Sequence, residues 1–456
     1  MTTIRVAALL ACLALAPRLP AAAQTSLTIY NDGRVLVRRT VALAVPKGVS
    51  TQRATLGALD PASVFSLDPD VTIGGLRYDG AVDEASVLRR SVGRRVVFRL
   101  PESKDTLSAL VLGVDPLRLQ LPDGSVSFTP PGAALYPGDV VVADPTLSLQ
   151  LESARAQDKL RLGYFTIGAS WQASYQIMLG TSDARVTGSA VLESRMLRAD
   201  SAEVQLLAGA VGRADQPQPP RPYEARAEAL AVMDKAQTAA EQRVGEFHLY
   251  SLPGRTSLLP GLSNTVALFE PASVKYERAY VVNGQVPWWG FLRQQGDETD
   301  APVEVVYTLK RPHKTPFGDR PLPGGRARLF QPDSAGRAQL VGEAAVNHTP
   351  AGEDLKLSAG TAFDLTARRV QTSYVTRRDS SAAGIRTVAT AGYRVTLRNA
   401  TDSAVTVDVQ EERAGEWSVL RSSVPAEKMS STITRFRVKV PKRGEAVLTY
   451  QVRVVW

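Results

Sequence analysis

The chain has 456 residues, with 54 Lys+Arg against 45 Asp+Glu, a formal charge of +9. Apolar residues make up 44% and aromatics 6%. That composition excludes wholesale disorder, collagen and low-complexity fibres, and the length suggests about three domains.

The first residues read as a secretory signal over 1–23. Arg5 supplies the positive start, Val6 to Ala16 the apolar core, and Ala21-Ala22-Ala23 a small-residue cleavage site before Gln24. The apolar run is about half the ~20 residues a membrane span needs. No later segment reaches that length, so no transmembrane helix is expected. The single cysteine, Cys12, lies inside the signal. Cleavage after Ala23 leaves a chain without thiols, which excludes disulfides, thiol nucleophiles and thiolate metal sites. It also removes Arg5 and Arg18, so +9 becomes +7.

The rest of the chain alternates polar and apolar residues in short runs broken by Gly, Pro, Asn and Asp, the pattern of antiparallel strands with one buried face. In residues 24–85, LTIY (27–30), Asn31-Asp32-Gly33 and VLVRRTVALAV (35–45) read as a hairpin. In 86–145, five runs from RRVVFRL to DVVVAD suggest a small SH3-like barrel. Arg89-Arg90 and Arg94-Arg95 form the tightest basic cluster, read as a solvated hairpin or linker. No recognition motif accompanies the charge, so no nucleic acid is expected.

From 146 to 456 the strands lengthen, with Tyr164, Phe165, Trp171 and Tyr175 as core anchors. QPQPPRP (216–222) is an extended connector, and Tyr223 to Val244 reads as the one helix, giving an insertion over 214–246. Beyond it, hairpins are expected at Asn283-Gly284, Pro332-Asp333, Asn399 to Ser403 and Lys442 to Gly444. The fold class is all-β: multi-module antiparallel β-sandwiches, a small N-terminal SH3-like barrel and one inserted helix.

No catalytic, cofactor-binding or metal-binding motif is found. His248, His313 and His348 are far apart, and Asp68 with Asp70 makes a poor calcium loop. Trp288, Trp289 and Phe291 stand beside the polar loop QQGDETD (294–300) and suit contact with a partner or a glycan. The alternation Leu448, Tyr450, Val452, Val454, Trp456 raises an outer-membrane barrel as a rival, since a lipid-facing row ends many such chains.

Region 146–456 also resembles the uncharacterised family termed domain of unknown function 4139. The resemblance is carried by Trp171-Gln172-Ala173-Ser174-Tyr175, Leu206-Leu207-Ala208-Gly209, PLPGGRARLFQPD (321–333) and Leu340-Val341-Gly342-Glu343. It continues through His348-Thr349-Pro350, LSAGTAFDL (357–365), YRVTLRN (393–399) and LTYQVRVVW (448–456). It implies an exported bacterial protein of β-sandwich modules with no agreed activity. Some relatives resemble mucoidy-inhibitor proteins, which hints at surface polysaccharide, and often carry a coiled-coil hairpin that is missing here. The expectation is a non-catalytic protein of the periplasm or cell surface that binds an envelope protein or polysaccharide. The alternatives are a hydrolase acting on envelope polymers and the outer-membrane barrel.

Overall fold

The structure is a computed structural model that describes residues 25–455 except 102–104, 213–238, 285–297, 382–383 and 414–415. It is all-β, with several antiparallel sheets. The chain divides into two compact units. One holds the residues to Trp171 with Glu193–Leu207 and Gly254–Ser263, and the other holds the remainder. Among the described residues no helix is long and apolar enough to cross a membrane.

In the first unit the expected hairpin pairs Thr25–Tyr30 with Arg34–Val45. Gly33 at φ +86° makes the turn, a conformation that glycine adopts without a Cβ clash. Gln157–Ile167 adds antiparallel to Arg34–Val45, and Ala199–Ala208 adds parallel to Thr25–Tyr30. Leu27, Ile29, Val35, Leu160, Leu162 and Leu206 fill the buried side. Thr146–Ser153 lies between Gly48–Thr55 and Val71–Asp79 in a separate three-stranded sheet.

A five-stranded antiparallel sheet runs in the order Ala133–Leu135, Arg95–Arg99, Thr106–Val114, Leu117–Gln120, Val126–Ser127. Its core is Val96, Phe98, Ala109, Val111 and Leu119. Its fifth strand is Ala133–Leu135 rather than the expected DVVVAD run, where Val140 N–H closes a turn on Pro137 and Asp139 pairs with Arg94 at 2.6 Å. Arg89 and Arg90 end a short helix, Glu84–Arg90, rather than lying in a hairpin or linker. Asp83 caps that helix by accepting from Ser86 N–H, with Glu84 in the first turn and both arginines in the last, as the helix dipole favours.

The second unit contains two strand assemblies. In the first, Gly325–Pro332 pairs parallel with Ala169–Leu179 and antiparallel with Ala338–Val346. Ser263–Gly284 pairs with Glu304–Leu309, which pairs in turn with Leu355–Thr361. Ala338–Val346 comes back against this last strand, so closely that a Cβ on Gly342 would sit 2.4 Å from the Ala359 carbonyl oxygen. Arg311, 1% exposed, ties the connecting loops together. It donates from Nε and Nη2 to the Phe317 carbonyl, from Nη1 to those of Pro350 and Glu353, and from Nη2 to that of Arg320.

The second assembly is a β-sandwich. One sheet runs from the end of Ser263–Gly284 through Val405–Glu412 and Ile433–Val440 to Ala426–Lys428. The other has the order Thr299–Ala301, Leu365–Ser381, Gly384–Asn399, Gly444–Val455, Glu416–Ser422. Between them lie Val282, Val395, Leu397, Val407, Val409, Phe436, Val438, Leu448 and Val452. Leu448, Tyr450, Val452 and Val454 are all buried, so the alternating row that a membrane barrel would turn to lipid faces inward here.

Other expectations change. Asn399 to Ser403 and Lys442 to Gly444 do not turn hairpins: the strands on either side of each lie in different sheets of the sandwich, because both flanking strands find their ladder partners elsewhere. Asn283 and Gly284 do not turn a hairpin. They finish a 22-residue strand and pair in parallel with Gln410 and Glu411. Ala240–Val244 is not the end of a helix but a strand paired with Phe247–Leu258, because alternate residues there ladder against a neighbour. The rest of the expected insertion lies outside the described residues.

Candidate functional site

Strand Val405–Glu412 alternates as VTVDVQEE, with Val405, Val407 and Val409 turned to the sandwich interior. The same period carries Glu411 inward, where it is 1% exposed. A carboxylate in that position needs partners, and it has three. Arg369 donates from Nε to Oε1 at 3.2 Å and from Nη2 to Oε2 at 3.1 Å. Arg413 places Nη2 2.8 Å from Oε2, an ion pair whose angle is too poor for a hydrogen bond. The Tyr450 hydroxyl donates to Oε1.

Aromatic rings complete the cluster. The Arg369 guanidinium lies 4.2 Å from the centre of the Tyr393 ring, and that of Arg413 lies 5.3 Å from it. Tyr450 stacks between Tyr393 and Phe436, at 5.3 and 4.9 Å. Burial disfavours the Arg369 charge, but Glu411 and the two tyrosines outweigh it and hold its pKa above the ordinary arginine value. Burial, reinforced by the Glu411 charge, pushes the Tyr450 hydroxyl well up. Tyr450 is therefore a proton donor at neutral pH, and Glu411 is committed as its acceptor. The side chains of Arg369 and Arg413 are only 14% and 2% exposed, so the group is one acid between two nearly sealed cations.

The other face of the same strands carries a pocket. Gln410 and Glu412 point opposite to Glu411, beside Asn283, while Ile433 stands across the ladder from Glu412. Asn283, Gly284, Gln410, Glu412 and Ile433 line a space of about 240 Å³. Gly284 joins the two features: a Cβ there would fall 2.3 Å from Glu411 Oε1, so only glycine lets the strand pass over the buried carboxylate. Asn283 Nδ2 also donates to Glu304 Oε1 at 3.4 Å, which steadies the amide from behind. Two amides, a carboxylate and one apolar wall can both donate to and accept from a hydroxyl-bearing ligand.

Residues singled out from sequence are placed as follows. Trp288, Trp289 and Phe291 lie outside the described residues. Asp68 and Asp70 do not converge on a cation site. Asp68 accepts from the Arg161 backbone and guanidinium at 2.8 and 2.6 Å, and Asp70 pairs with Arg155 at 2.9 Å. His248 meets Glu241 at 2.7 Å, His313 meets Asp319 at 3.5 Å, and His348 Nδ1 accepts from Gly324 N–H at 3.0 Å. Among the described residues no three His, Asp or Glu are grouped to hold a metal.

Sequence reasoning missed Glu411, Arg369, Arg413, Asn283, Gln410 and Glu412. One signal was available: VTVDVQEE puts a charge at an inward position of an otherwise regular strand. Comparison with protein-family models and with characterised proteins finds no match to the chain.

Proposed function

We propose that this chain is an exported, non-catalytic protein of a bacterial envelope that binds a protein or polysaccharide partner, with the pocket over Gly284 as a contact point. The observation that carries the reading is the pocket's construction. Its floor is a glycine backed by a buried, doubly ion-paired carboxylate, so the strands that carry Asn283 and Gln410 are fixed before any ligand arrives. Such preorganisation lowers the ordering cost of binding. The signal-like residues 1–23 and the resemblance to the unknown-function family support the envelope setting. The compact sheet at 95–135 fits the SH3-like barrel of this reading.

The test is retention of envelope components on immobilised full-length protein, with glycan-array binding alongside. Asn283→Ala with Gln410→Ala is expected to lose the retained ligand while the melting temperature stays within about 2 °C, as for surface substitutions generally. Equal retention by the double variant refutes the pocket. Turnover of a glycoside panel that Glu412→Gln abolishes replaces the reading with a hydrolase. Accumulation in the cytoplasm refutes the envelope setting.

A further inference from the structure

The two sheets of the sandwich treat their outward arginines differently. On the sheet carrying the pocket, Arg435 pairs with Glu427 at 2.8 Å and Asp408 at 3.5 Å, and Arg437 with Glu427 at 3.6 Å. The opposite sheet presents Arg368, Arg377, Arg386, Arg394, Arg398, Arg421 and Arg453, all exposed. Arg368 meets Asp300 at 3.2 Å and Arg386 meets Glu416 at 3.7 Å, while Glu445 stands opposite Arg398 in the ladder. Arg377, Arg394, Arg421 and Arg453 have no ion pair among the described residues.

Register puts these four on one face. Arg377 is opposite Val388, Arg453 opposite Thr390, and Arg421 opposite Gln451, which itself faces Gly392. Arg394 follows two residues along that central strand. A bulge at Thr372 lets the face continue, because the extra residue reverses the alternation of the 365–381 strand and turns Arg377 outward with Val375, which is 65% exposed. With strands about 4.8 Å apart and about 3.3 Å per residue, the Cα atoms of neighbouring unpaired arginines are about 8–14 Å apart.

The spread of the charges favours one ligand class. Four unpaired arginines distributed over four adjacent strands offer more cation than one small anion can take up. They suit an extended molecule with repeated negative groups, each taken by one planar, bidentate fork. Resting on the envelope reading, we propose that the outer face of the 365–381, 384–399, 444–455 and 416–422 strands docks an acidic polysaccharide, its carboxylates engaging Arg377, Arg394, Arg421 and Arg453. Thr390, Thr449, Gln451 and Ser418 lie between the arginines and offer hydroxyl and amide partners to the sugar rings.

The test measures binding of full-length protein to polygalacturonate, with neutral dextran and vesicles of anionic lipid as parallel probes. The wild type is expected to bind polygalacturonate and not dextran, and to weaken at least tenfold between 50 and about 300 mM salt as screening shortens. Arg394→Gln with Arg421→Gln and Arg453→Gln is expected to weaken binding at least tenfold at unchanged melting temperature, while Asn283→Ala with Gln410→Ala leaves it intact. Absence of polygalacturonate binding, or equal binding by the triple variant, overturns the proposal. So does stronger retention on the vesicles through the same arginines, which would make the face a membrane contact. If polygalacturonate fails while the pocket still retains an envelope component, this inference falls and the broader function stands. If neither binds, both fall.

Discussion

Replacing Glu411 by Gln keeps the shape of the side chain and removes its charge. The Arg369 and Arg413 guanidiniums then lose their shared carboxylate while staying 14% and 2% exposed. Breaking a buried pair in this way costs about 3–5 kcal/mol, because the remaining charge stays desolvated. Here two charges are left, and the Tyr393 ring recovers only part of the loss. Tyr450→Phe removes the bond donated to the carboxylate and the long one accepted from Arg369 at 3.3 Å but leaves the ion pairs in place, and costs about 1.5–3 kcal/mol, so the acid variant must be the worse of the two. Replacing Glu411 by Leu together with Arg369→Met and Arg413→Met leaves no charge to desolvate and only the Tyr450 hydroxyl without a partner, so it should lie about 1–3 kcal/mol below wild type and above the acid variant. With two compact units, a whole-chain midpoint mixes transitions. Hydrogen exchange of the amides in 405–412 and 448–455 reads the sandwich alone. Protection in Glu411→Gln within about 1 kcal/mol of wild type, or an apolar triple variant as damaged as the single one, refutes the reasoning.

Arg311→Met should lower stability by about 3–5 kcal/mol, since four carbonyl groups lose their donor together, and Arg311→Lys should not rescue it because an ammonium cannot span the fork. Thermal melting of the three proteins checks this, and full rescue by Lys would disprove it. Burial raises the hydroxyls of Tyr450, Tyr175 and Tyr250 above their value of 10.0 in the unfolded chain. Their contribution is complete below pH 10 and is lost as pH rises further, because the unfolded state ionises first. Denaturation midpoints from pH 8 to 11.5 should fall at the alkaline end, and Tyr450→Phe should flatten the slope. On the acid side, burial raises Asp68, but hydrogen bonds from the Arg161 backbone and side chain, with that arginine's charge, hold it below 3.8. Its contribution is present above that value and fades as pH falls through the lower folded one, so Asp68→Asn should blunt the acid loss.

Much of the architecture was legible because it is local. Asn31-Asp32-Gly33 and Asp333 with Gly336 each turn one strand back on the next, with the chemistry to do so in the turn itself. Asn283-Gly284 carried the same local signal and was misread. Its glycine serves close approach to Glu411 rather than a turn, and Glu411 lies 127 residues away along the chain. Glu84–Arg90 was missed because seven residues show too little periodicity, although Asp83 marks its start.

By itself the sequence determined the alternation within most strands and the places where many of them end, since both follow from a two-residue period and turn residues. Only the tertiary structure decided which distant strands lie side by side. The parallel pairing of 280–284 with 407–411 sets Asn283 beside Gln410, and the stacking of two sheets brings Arg369 and Tyr450 onto Glu411. The same ladders gather single arginines from four strands onto one face. Alternation marks a face but carries no address for a partner strand, and that choice depends on how whole sheets bury their apolar sides against each other.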